Sequence, residues 1–74
     1  MRVREIVKGR TYTDGKGGIR EVILFQHHPI FEDAVIFKYI RGAKPVFRIN
    51  TGQYAGYYVV GLQSFARWAQ REGE

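Results

Sequence analysis

The chain has 74 residues, no cysteine, and a formal net charge of +5 from twelve Lys or Arg against seven Asp or Glu. That length holds one domain with a small core, and the missing cysteine excludes disulfides and thiolate metal sites as staples. The core must come from aromatic and β-branched side chains, here five Phe, five Tyr, one Trp, seven Val and seven Ile.

No apolar run approaches the ~20 residues needed to cross a bilayer. The opening Met1-Arg2-Val3-Arg4-Glu5-Ile6 lacks the long apolar stretch of a signal peptide. A cytoplasmic chain without membrane association is therefore expected. The positive charge favours DNA, RNA or an acidic protein as partner, although a charge of this size also serves solubility.

The first strand is expected at about 2–12, where Val3, Ile6 and Val7 supply β-branched residues and Gly9 permits a bend or bulge. Asp14-Gly15-Lys16-Gly17-Gly18 reads as a mobile hairpin tip, since Asp-Gly tolerates the positive φ of a tight turn. A second strand follows at 19–26, with both faces apolar in the middle, and His27-His28-Pro29 ends it. The third strand is expected at 34–41, then a turn at Gly42-Ala43-Lys44-Pro45. A fourth strand at about 46–51 should point Phe47 and Ile49 inward and Arg48 outward. A fifth, at about 54–60, carries Gly56 as a bulge or bend.

The tail changes period. Leu62, Phe65, Trp68 and Ala69 form one apolar stripe at helical spacing. This predicts a helix at about 62–72, opened by Gly61 or capped late by Ser64, and stopped by Gly73. Arg71 would sit in its last turn, where a cation favours the dipole. The stripe makes the sole Trp part of a lid over the core. The fold class is thus α+β, mainly β. It is a five-stranded antiparallel curled sheet, or a small SH3-like or OB-like barrel, with one C-terminal helix, all in a single domain spanning 1–74. No linker or internal repeat interrupts it.

Catalytic groups are sparse. Ser64 is the sole serine, beside a helix start and without a plausible base, so a capping role explains it. Glu32 and Asp33 diverge if extended, which is poor geometry for a pair of catalytic carboxylates. His27 and His28, with Glu32 or Asp33, could bind zinc only if the loop reshaped, because adjacent strand residues face opposite ways. The glycines at 14–18 lack the Gly-Lys-Ser/Thr of a phosphate-binding loop. No catalytic residue, metal or cofactor is assigned.

The cations are spread along the chain, but residues 38–48 hold four of them and no acid. Lys38, Arg41, Lys44 and Arg48 could form one surface, joined by Arg10 and Lys16, with Tyr39 and Tyr57 among the tyrosines available as stacking platforms. The leading expectation is non-enzymatic binding of nucleic acid by this basic hairpin. The alternative is a protein-interaction or regulatory accessory module of bacterial or phage type. It would bind an acidic protein through Arg67, Gln70 and Arg71, or associate with itself as a homodimer.

Overall fold

The computed structural model describes residues 1–27 and 33–73. Its elements are β1 (Thr11–Thr13), β2 (Ile19–Gln26), β3 (Ala34–Arg41), β4 (Tyr58–Gly61), α1 (Leu62–Trp68) and β5 (Arg71–Glu72). The strands form one antiparallel sheet in the order β4-β3-β2-β1-β5. The mainly β fold with a late helix is as the sequence indicates. The ladder is an open sheet, with β4 and β5 at its two ends.

β2 and β3 form at the expected positions because each is a long β-branched and aromatic run bounded by turn residues. The segment before β1 is different. Residues Val3–Glu5 make a single 3-10 turn, not a strand. The Glu5 carboxylate accepts the Arg2 backbone N–H at 2.7 Å and the Glu5 N–H reaches the Arg2 carbonyl at 2.9 Å. Only Ile6 of this segment enters the core. The chain reaches the sheet one turn later, where Gly9 N–H donates to the Val22 carbonyl and Val22 N–H to the Arg10 carbonyl.

The expected fourth strand is reduced to an isolated bridge, Arg48 to Tyr58. Val59 N–H donates to the Phe47 carbonyl and Ile49 N–H to the Tyr57 carbonyl, so residues 47–49 form a short arm along β4. Phe47 is not an inward residue: it is 65% exposed. A strand flanked by one neighbour, with no second layer beyond it, has nothing to bury that side chain. Arg48 is exposed, as expected of an outward residue. The fifth strand is also shorter than its pattern suggests, because residues 53–56 are turn.

The helix is shorter too. Gly61 occupies its N-cap and Ser64 lies exposed in its first turn. The helix ends at Trp68, not at Gly73, because Ala69 is extended at ψ 127. Gln70 N–H then donates to the Thr13 carbonyl and Gly73 N–H to the Thr11 carbonyl, each at 2.8 Å. The edge of β1 needs partners for these carbonyls, and the tail satisfies them as β5. Arg71 is therefore a strand residue, not a cation in a last helical turn. The backbone nitrogen of Met1 donates to the carbonyls of Ala66 (2.8 Å) and Ala69 (2.9 Å), which the helix end leaves without partners.

The core lies between α1 and one face of the sheet. Ile6, Tyr12, Val22, Val35, Phe37, Phe65, Ala66 and Ala69 form it, with Leu62 and Trp68 packed against it. Phe65 is its centre, edge-on to Tyr12 at 5.9 Å and within 5.6 Å of Phe37 and 5.4 Å of Trp68, between ring centres. The apolar stripe of the tail is indeed the lid.

Candidate functional site

The strand register assembles a row of four residues across four strands. Arg41 on β3 faces Ile19 on β2, Ile19 faces Thr13 on β1, and Thr13 faces Arg71 on β5. Directly opposed residues share a face. Tyr12 and Arg20 point to the core side, so this row lies on the side away from the helix. A break in register between Ile19 and Arg20 is what turns Arg41 to that side. The four residues line one hollow of about 290 Å³ with Glu72 and Gly73.

The hairpin tip closes one end of this hollow. Asp14 organises the tip. Its Oδ1 accepts the N–H of Lys16 at 2.8 Å and of Gly18 at 2.9 Å. These bonds, that of Lys16 first, hold the Asp14 carboxyl below the usual carboxylate range. Arg41 Nε donates to the Gly17 carbonyl at 3.2 Å. A methyl built on Gly15 would lie 3.9 Å from Arg71 Nη1, so the second guanidinium runs beside the same tip. Lys16, between these glycines, is exposed. Glu72 is engaged by Arg10, Nη1 to Oε2, at 3.2 Å. Lys38 stands one row along on the same face, opposite Glu21.

Of the residues singled out from the sequence, Lys16, Lys38 and Arg41 thus fall around the tip or on its face, whereas Arg10 precedes β1 and is held by Glu72. Arg71, first assigned to a protein-binding helix, joins the first three. Gln70 leaves the helix to lie beside Gly15, and Arg67 stays exposed on α1. Lys44 and Arg48 lie elsewhere. Lys44 borders a second hollow of about 220 Å³, with Arg20, Phe37, Pro45, Val46 and Phe47. Residues 38–48 therefore do not present one surface; they serve two.

The tyrosines are mostly structural. Tyr39 points to the core side, its ring edge-on to Tyr58 at 6.0 Å and its hydroxyl donating to the Gly42 carbonyl. Tyr57 is half-buried against Tyr54 at 6.2 Å. The side chains that sequence reasoning missed are Phe47, Val46 and Arg20. Alternation on a full strand placed Phe47 inward, and only the loss of that strand exposes it. Arg20 gave no signal beyond its position between two apolar strand residues.

His27 Nδ1 lies 2.7 Å from Asp33 Oδ1, both well exposed, while His28 and Glu32 lie outside the described residues. Among the described residues no three metal-capable side chains gather, and no helix is long and apolar enough to cross a membrane. Compared with known protein families, curated proteins and solved structures, the chain matches none.

Proposed function

We propose that this chain is a non-enzymatic nucleic-acid-binding protein that holds phosphates at the hairpin tip, with Lys16, Arg41 and Arg71 as the principal contacts. The carrying observation is the in-register row that sets Arg41 and Arg71 around one hollow. Three strand spacings separate them, about 14 Å between Cα atoms. Both side chains are long enough to turn toward a phosphate between them, and guanidinium groups bind phosphate oxygens two at a time. Of the carboxylates nearby, Asp14 is occupied by backbone N–H groups and Glu72 by Arg10, while Glu21 stands one row along opposite Lys38. The overall charge of +5 adds attraction at longer range.

Contacts of this kind read the backbone and not the sequence. A labelled oligonucleotide titrated at ~50 and ~200 mM salt should bind steeply more weakly at the higher salt. The double variant Arg41→Ala/Arg71→Ala should lower the salt slope by about two, one for each lost phosphate contact. Absence of binding at the lower salt would remove the proposal.

A further inference from the structure

Thr13 is the one buried polar residue among the described residues, 8% exposed, and it lies between the two arginines of the row. Its Oγ1 accepts the Gly15 N–H at 3.1 Å. Thr11, two positions earlier on β1, donates its hydroxyl proton to the Gly73 carbonyl at 2.8 Å. The Thr13 hydroxyl has no such acceptor among the described residues, although Thr13 borders the hollow. A hydroxyl carries one donor beside its two lone pairs. This one is left to donate to an occupant of the hollow.

The donors around the hollow come from three directions. Arg41 stands at one end of the row and Arg71 at the other, with Thr13 between them. The Arg41 Nε bond to the Gly17 carbonyl pins that guanidinium at the tip. It uses one of the five N–H donors of the group. Ile19 brings no polar side-chain group, and Glu72 is paired with Arg10 at 3.2 Å. A phosphate is tetrahedral. An internal diester spends two oxygens on its chain and keeps two for donors. A terminal monoester spends one, keeps three, and carries nearly two charges at neutral pH. Donors on three sides leave one direction for the chain, which suits the monoester. A chain that ran on past the row would also meet the tip that closes that end. We propose that the hollow takes the terminal phosphate of a nucleic-acid strand, with Arg41, Arg71 and Thr13 donating to its free oxygens. This rests on the phosphate-binding reading of the same row and narrows it to strand ends. Lys16, exposed on the tip, then meets the next phosphate.

The test uses the full chain and single-stranded oligonucleotides labelled at one end, with a phosphate or a hydroxyl at the other. At ~50 mM salt the phosphate-ended strand should bind about tenfold more tightly than its hydroxyl-ended twin. The advantage should hold with the phosphate at either end of the strand, because the donors touch only phosphate oxygens. Arg41→Ala/Arg71→Ala should abolish the difference. Thr13→Val should shrink it several-fold, and Thr13→Ser, which keeps the hydroxyl, should restore it. Lys16→Ala should weaken both strands alike and leave their ratio unchanged. Equal, salt-dependent binding of both strands by the parent overturns the strand-end inference and leaves the row a general phosphate contact. An advantage that survives in Arg41→Ala/Arg71→Ala overturns it too. So does a nucleoside monophosphate that binds as tightly as the phosphate-ended strand, which would make the ligand a free nucleotide. No binding of any strand at ~50 mM salt removes the phosphate-binding reading and this inference with it.

Discussion

The guanidinium of Arg20 lies 4.1 Å from the ring centre of Trp68, which ties the start of β2 to the last turn of α1. The same group sits 4.7 Å from the Phe37 ring on β3. Its charged end reaches the hollow bordered by Lys44 and Phe47, while its stem covers apolar surface. Burial pushes the Arg20 pKa downward from its ordinary value, but an arginine starts so high that it remains charged at neutral pH. One residue therefore belongs both to the packing of the lid and to the rim of a surface.

Loss of either partner should destabilise the fold. Trp68→Ala should cost about 3 kcal/mol, the low end for a large aromatic because Trp68 is only partly buried. Arg20→Ala should cost about 1 kcal/mol from the lost stacking and stem contacts. Because the two touch, the double variant should lose less than the sum. Urea unfolding of the four proteins measures all three quantities.

Gly42 should not tolerate a side chain. Its φ is +101, and a Cβ there would fall 2.5 Å from the Gly18 Cα, backbone that cannot move aside cheaply. Gly42→Ala should cost about 2 kcal/mol or more from clash and strain together. Gly52 has φ +85 with nothing within 4 Å of a new Cβ. Gly52→Ala should then show the strain alone, about 1 kcal/mol. Equal losses at both positions in chemical denaturation would show that the Gly42–Gly18 contact adds nothing.

Acid should loosen the hairpin tip through Asp14. Its lowered pKa means that the ionised carboxylate stabilises the folded state. That contribution is fully present above the ordinary aspartate value of ~3.9 and disappears as pH falls through the lower folded value. Asp14→Ala lacks it at every pH. The melting midpoints of parent and variant should differ at neutral pH and converge in strong acid. A constant gap down to ~pH 2 would mean that the hydrogen bonds survive protonation.

The hydroxyl of Tyr12 should be worth more than its size suggests. It accepts the Val7 N–H at 2.7 Å and donates to the Glu5 carbonyl at 3.1 Å. The ring is fully buried. Tyr12→Phe keeps the packing and removes both bonds, so it should cost about 1 kcal/mol. Amide hydrogen exchange should speed up first at Val7, the donor left without its partner.

Much of this was legible in the chain. Alternating Val, Ile and Phe marked β2 and β3 at their observed bounds, because a long β-branched run between turn residues has few other uses. The spacing of Leu62, Phe65 and Ala69 marked the lid and its buried face, since helical geometry alone aligns those positions. The tip at 14–18 was legible as a turn, but Asp14 makes it an organised one.

The periphery was not legible, and for one physical reason. Residues 2–8 and 46–51 have strand-like composition, and residues 69–72 continue a helix-like one, but composition does not say which backbone groups lack partners. The carbonyls of Thr11 and Thr13 drew the tail out of its helix and made Arg71 a strand residue. That pairing, with the register break after Ile19, placed Arg71 and Arg41 around one hollow although thirty positions separate them in sequence. The sequence by itself determined the charge, the two long strands and the apolar face of the helix, since these depend on local period and composition. Only the tertiary structure decided which cations meet and that Phe47 faces solvent, because both follow from hydrogen bonding at the sheet edges.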